Sequence, residues 1–557
     1  MKARLLLALG LGVIASALGA DPAPVIFHGF EYTGHDAIFD QPLAAGEFRN
    51  PILAGFYPDP SLCRVGDDYY LVTSSFCYFP GIPIFHSRDL VHWTQLGHVI
   101  TRPAQADFTG LGVSRGVFAP ALSYHDGTFY LVTTLVDCGG NCIFTAQDPS
   151  GPWSDPVWLR YDGIDPSLFF DQDGRTWLVS NGPPEGKPLY DGHRAIWLQE
   201  FDPVALHLIG PPAPIVNGGT DLAKHPIWIE APHLFRRGEY YYLICAEGGT
   251  AGNHSEVVFR SRDIRGPWAP FAGNPILTQR DLPADRPQPI TSTGHADFVS
   301  TPGGEWWAAF LGCRPYEDGR YNTGRETFML PVTWKDGWPG ILPAGERVPV
   351  VAVGARLPAT AKDPVPLTGN FTWRDTFAEP VLSPLWVFLR TPHETWWSLT
   401  SAPGRLALVP RSDSLQQKGN PSFIGRRLQH ADFTAIASLQ LPATSGVAAG
   451  LAAFQSESDY FFLAVRHHGG STEIFLERAA GGAPQTVATA ILTEPVPRQI
   501  VLRIAGAGRA YSFSYAAQPG AWTTLKENED GSILSTAVAG GFVGTMLGLH
   551  ARTEAVR

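Results

Sequence analysis

Between about residues 45 and 345 the chain alternates short apolar runs with turns rich in glycine, proline, asparagine and aspartate, and helical periodicity is absent. That pattern predicts short strands. Five segments share one layout: a polar or small residue runs into apolar positions, then come a glycine turn and an aromatic-rich strand. They begin FYPDPSL at Phe56, VFAPALS at Val117, GIDPSLF at Gly163, WIEAPHL at Trp228 and GHADFVS at Gly294. The turn glycines Gly66, Gly127, Gly174, Gly238 and Gly304 are separated by 61, 47, 64 and 66 residues, the length of a propeller blade. Five blades are therefore expected. Counting back 7, 8, 9, 8 and 9 residues from those glycines places Asp59, Ala119, Asp165, Glu230 and His295 in one equivalent slot.

A second repeat supports the phase. The segments FHSRDLVHW, FTAQDPSGPW and FRSRDIRGPW, ending at Trp93, Trp153 and Trp268, read as outer strands of blades one, two and four, with each Trp packing between blades. Residues 346–370 are rich in Pro, Ala and Val and predict an extended connector. From Phe371 onward, runs such as FTAIASLQL and YFFLAVRH alternate with period two, as strands of a sheet buried on one face do. The expected fold is all-β: a five-bladed β-propeller over 45–345, a linker over 346–370 and a C-terminal β-sandwich over 371–557.

Composition adds exclusions. The formal net charge of -11 and the lack of a basic run argue against a nucleic-acid partner. Residues 1–20 combine a basic start, an apolar run and small residues at Ala15, Ala17 and Ala20, the pattern of a secretory signal cleaved near Ala20. A membrane anchor would need a longer apolar stretch, so no membrane association is expected after cleavage, and the protein is expected outside the cytoplasm, secreted or periplasmic. Six cysteines in an exported chain make disulfides an expectation, with Cys138 and Cys142 the nearest pair. A zinc site would need a second close Cys or His pair, which the sequence lacks.

The slot carries the candidate chemistry. Innermost strands line a propeller's channel, so Asp59, Asp165 and Glu230 are predicted to converge there with His295. Hydrolysis of a glycosidic bond with inversion needs a base to activate water, an acid to protonate the leaving oxygen, and often a group that sets their protonation. A lone Asp-Pro is a common turn starter. Two D-P-S-L copies with a Glu in the same phase point to catalysis instead.

The blocks NPILAGFYPDPSLCRVGDDYYLVTSSF, GIDPSLFF and IEAPHLF resemble the catalytic motifs of family-43 glycoside hydrolases, five-bladed propellers that act on xylans and arabinans. WRDTFAEPVLSPLWVFLR, from Trp373, resembles the start of the sandwich found in the β-xylosidase and α-L-arabinofuranosidase branch. The resemblance implies Asp59 as general base, Glu230 as general acid and Asp165 as the residue that tunes the acid. It implies that Arg325 contacts substrate or a catalytic carboxylate and that His295 lies in the channel, where some members hold calcium. No cofactor is required, and Ca2+ in the channel is the one metal the resemblance leaves open. Phe76 matches a position where the family places an aromatic wall of the sugar subsite, Phe118 stands where many members carry Trp and would stack on the sugar likewise, and His254 is expected at the mouth. The implied activity is a secreted inverting exo-glycosidase releasing xylose or arabinofuranose from hemicellulose-derived oligosaccharides. The rivals are an endo-arabinanase, whose open groove would not need the sandwich, and an inactive sugar-binding propeller, which gains nothing from burying like charges.

Overall fold

The computed structural model describes residues 22–358, 365–468, 470–493, 495–518 and 520–554, and these are almost wholly strands and turns. The segment expected to be a secretory signal, 1–20, lies outside the described residues. Among the described residues no helix is long and apolar enough to cross a membrane.

Five sheets form the propeller, and their inner strands are Ser61–Val65, Gly116–His125, Ile164–Phe170, Glu230–Arg237 and Thr291–Ser300. Each inner strand touches the next, and the fifth touches the first, so the ring closes. The turn glycines sit after these strands with φ between 62° and 86°, a left-handed region where a side chain would be strained. Asn50 also helps to close the ring: its side-chain amide donates to the Met329 carbonyl at 2.9 Å and accepts from the Met329 N–H at 2.8 Å. Trp93 and Trp153 are buried and Trp268 half-buried, each donating its indole N–H to a carbonyl of its own turn.

The sandwich consists of two eight-stranded sheets, and each takes one strand from outside residues 371–557. Val25–Gly34 lies inside the first sheet, paired with Leu406–Leu408, Phe371–Asp375 and Asp432–Gln440. Tyr78–Phe79, from a loop of blade one, forms an edge of the second sheet by pairing with Val387–Leu389. The connector is also more structured than its composition suggested. Val351–Val353 pairs with Glu47–Arg49, and the Leu367 carbonyl accepts from Ala54 N–H in one domain and Gln429 Nε2 in the other.

All six cysteines are free thiols, which corrects the expected disulfides. Cys142 faces the core of blade two, whereas Cys138 lies in the preceding turn with its thiol 2.8 Å from the Asp107 carbonyl. Their side chains point to different surroundings.

Candidate active site

Each inner strand of blades two to five breaks register near its start: between Phe118 and Ala121, Ile164 and Ser167, Glu230 and His233, and Gly294 and Asp297. A bulge of this kind re-aims a side chain, here toward the axis. Asp165 and His295 occupy the bulge with φ of 52° and 55°, and Asp59, just ahead of the regular inner strand of blade one, has the same left-handed backbone with φ of 56°. On blade four the left-handed residue is Ala231, with φ 51°, not Glu230. Glu230 therefore stands one position earlier than the slot assigned from sequence, level with Phe118, Ile164 and Gly294. The proline explains the slip: D-P-S-L aligns with A-P-H-L, and variable turn spacing hid the extra residue.

Despite that shift the three carboxylates converge. Asp59, Asp165 and Glu230 line one cavity of about 400 Å³ with His295, Arg325, Phe76 and Phe118. Asp59 Oδ1 accepts from Arg325 Nη1 at 2.9 Å, and Oδ2 accepts from Ser74 Oγ at 2.6 Å. Burial alone would raise the Asp59 pKa, but the Arg325 charge and these hydrogen bonds outweigh it and hold the carboxyl below its ordinary value. The other two acids move the opposite way. Glu230 is pushed well up by burial and then by Asp165 and Asp59. Asp165 is raised by burial and by Asp59, against a 3.3 Å hydrogen bond from the Ala231 N–H to its Oδ2. The site therefore holds one firmly ionised carboxylate beside an acidic pair that favours keeping a proton.

His295 places Nδ1 3.6 Å from Asp59 Oδ1. Burial lowers its pKa to about 3, so the ring is neutral near pH 7. His254 does not line the cavity, contrary to the expectation that it sits at the mouth. It is 1% exposed, packs under Gly294 and has Nδ1 3.0 Å from the Ser292 carbonyl. Among the described residues no group of three or more His, Cys, Asp or Glu is arranged to hold a metal. Asp297, the carboxylate nearest His295 in sequence, is engaged by Ser61 Oγ, the Leu62 N–H and His233.

Phe76 and Phe118 form one wall, with ring centroids 5.1 Å apart at 69°. Sequence reasoning missed the third member of that wall. Phe542, from the sandwich, stacks on Phe76 at 5.9 Å and meets Phe118 edge-on at 5.7 Å. Its backbone N–H donates to Ser114 Oγ at 2.9 Å. Nearby, a Cβ on Gly544 would lie 2.6 Å from the Thr323 carbonyl oxygen, so the sandwich loop fits against the blade-five loop only without side chains there. Arg115, Trp228, Gly249 and Thr250 complete more of the lining. Trp228 stood in the quoted WIEAPHL motif, whereas nothing local in the sequence marks Phe542.

Behind the site a buried network joins the domains. Arg314 donates twice to Glu326, at 2.6 and 2.9 Å, and to Asp36 at 2.7 Å and the Gln429 carbonyl at 2.8 Å. Glu326 follows Arg325 directly and accepts from the Gly55 N–H at 2.6 Å, on the segment leading to Asp59.

Residues 48–339 match glycosyl hydrolases family 43, and residues 374–556 match the β-xylosidase C-terminal concanavalin A-like domain. A xylosidase/arabinosidase from Butyrivibrio fibrisolvens is 39% identical over 91% of this chain and 96% of its own length. A non-reducing end α-L-arabinofuranosidase from Bacteroides ovatus is 36% identical over 91% and 92%. Among solved structures, a family-43 protein retrieved from a capybara gut metagenome superposes with a TM-score of 0.89 at 40% identity, covering 96% of this chain and all of that one (100%).

Proposed function

The chain belongs to glycosyl hydrolase family 43 and is a glycoside hydrolase, and on that premise we propose that it is a secreted, inverting exo-enzyme acting on hemicellulose-derived oligosaccharides. It releases terminal xylose or arabinofuranose, in keeping with relatives named for both activities. The observation that carries this reading is the opposed setting of Asp59 and Glu230. Asp59, kept ionised by Arg325, takes a proton from a water whose oxygen attacks the anomeric carbon. Glu230, which favours its protonated form, gives its proton to the glycosidic oxygen as the C–O bond breaks. Asp165 raises the proton affinity of Glu230 by its charge and is held beside it through the Ala231 N–H. The division between the two aspartates thus has a physical basis: only one of them carries an arginine on its carboxylate. Phe542 and the phenylalanines beside it wall one side of the cavity, which suits a chain end better than the middle of a polymer.

The test uses Glu230→Gln and Asp59→Asn. Glu230→Gln should lose activity on xylobiose by at least about 100-fold yet keep much of it on 2,4-dinitrophenyl β-xyloside, whose leaving group needs no proton. Asp59→Asn should lose both. Proton NMR of the first-formed sugar should show inverted configuration; retention would overturn the assignment of Asp59 as base. Sequencing the N-terminus of exported protein should place it near residue 21, and an intact Met1 would refute secretion by this segment.

A further inference from the structure

Trp228 is 39% exposed although it lines the cavity and lies two residues before Glu230. An aromatic ring of that size left open to solvent needs a reason, and its surroundings show that it is held rather than loose. Its φ is 52°, and its N–H donates to the Gly192 carbonyl at 2.9 Å. The Arg194 guanidinium lies 5.0 Å from the ring centroid. Arg194 itself is fixed by two hydrogen bonds, at 3.1 and 2.7 Å, to Oδ1 of the fully buried Asn181, whose amide donates to the Ile229 carbonyl at 2.5 Å. Asn181 therefore grips the backbone between Trp228 and Glu230. Gly192 and Gly249 lie beside the indole: a Cβ on either would be in ordinary contact with Trp228 Cδ1, at 3.5 and 4.0 Å.

Two sides of the cavity differ in character. The Phe76, Phe118 and Phe542 wall faces the Asp59 and Arg325 side, with Arg325 5.9 Å from the Phe76 ring and 5.6 Å from the Phe542 ring. Trp228 stands two residues before Glu230, and three residues before Trp228 the His225 ring lies 4.7 Å from Tyr190, which is also 4.7 Å from His193. Tyr190 is tied to the same loop by a 2.7 Å hydrogen bond from its hydroxyl to the Pro226 carbonyl. An acid that protonates the leaving oxygen must face the leaving group. A flat, preorganised ring beside that acid suits a pyranose face, because rigid aromatics bind at low cost in conformational entropy.

We infer that Trp228 is the stacking platform for the leaving-group sugar, so that the enzyme selects a pyranose on the departing side of the bond. This inference rests on the proposed role of Glu230. It implies that the two walls divide recognition: the phenylalanines select the sugar released, and Trp228 selects what it is released from.

The experiment compares kcat/KM of Trp228→Ala and Trp228→Phe on xylobiose, xylotriose and β-D-xylosyl fluoride, whose fluoride leaving group cannot reach a platform. Trp228→Ala should lower kcat/KM by about tenfold on both oligosaccharides, chiefly through KM, and leave the fluoride within about twofold. Trp228→Phe should recover much of the loss. An equal fall on all three substrates would assign Trp228 to general site structure and overturn the inference, as would no change on the oligosaccharides. A wild-type enzyme inactive on all three would instead sink the functional reading, and the platform with it.

Discussion

Replacing Arg325 with Met removes the one cation in direct contact with Asp59. Both side chains are only 6% exposed and the N–O distance is 2.9 Å, so solvent cannot substitute for the lost charge. An arginine at this range typically lowers a carboxyl pKa by about 1–3 units. Each unit is about 1.4 kcal/mol of preference for the ionised form. The sign follows from the direction of the wild-type shift. Asp59 is depressed, so its ionised form is present above the depressed value and is lost only as pH falls through it. Without Arg325 the largest influence opposing burial is gone, the Ser74 hydrogen bond and His295 oppose it only in part, and the carboxyl rises. The acidic limb of kcat/KM, which reports the free enzyme, should therefore move up by about 1–3 units in Arg325→Met. Arg325→Lys, which keeps the charge but not the planar guanidinium, should shift it less. The assay is the pH dependence of kcat/KM on an aryl xyloside with stopped time points, with circular dichroism confirming the fold at each pH. A loss of rate with an acidic limb that stays in place would refute the claim that Arg325 keeps the base ionised.

Three other outcomes follow from the architecture. Phe542→Ala should lower kcat/KM by about tenfold through lost ring contact while costing about 1–3 kcal/mol, less than a fully buried Phe because the ring is half-buried; urea unfolding and steady-state kinetics separate the two effects. Arg314→Met leaves Glu326 and Asp36 buried without their partner and should cost about 3–5 kcal/mol in urea unfolding, whereas a surface pair such as Arg88 with Asp68 should cost under about 1 kcal/mol. Deleting residues 25–34 removes a strand from inside the first sandwich sheet, so the truncated chain should be insoluble or inactive in expression trials; a soluble, active product would show that strand to be dispensable.

The propeller was legible because its signal is local. Turn glycines at positive φ and aromatic strands recur within each blade, and together they set the blade count. Glu230 was misplaced by one residue because the glycine that served as ruler lies beyond a turn of variable length. The proline after the left-handed residue on blades one, three and four was the better ruler: Pro60, Pro166 and Pro232 stand next to Asp59, Asp165 and Ala231. The carboxylates still meet because the cavity admits a side chain from either of two adjacent positions. Phe542, Val25–Gly34 and Tyr78–Phe79 escaped notice for another reason: each acts in the domain it does not belong to by sequence, and no periodicity within a segment reports a partner so distant. His254 looked like a mouth residue because it follows a blade strand near a glycine-rich turn, yet burial of its ring under Gly294 takes it out of the cavity.

The pairing of Phe27 with Leu439 also sets an order of events during synthesis. A strand made near the start of the chain waits for its neighbour until most of the polypeptide has emerged, and closing so long a loop is slow even though its entropy grows only logarithmically with length. The propeller sequence is complete before the sandwich can form, so the early strand spends that interval with exposed backbone edges. Newly made chains should therefore pass through a state with the ring closed and Phe542 not yet in place, folded in most respects and unable to act. Activity would then appear later than compactness in a refolding experiment.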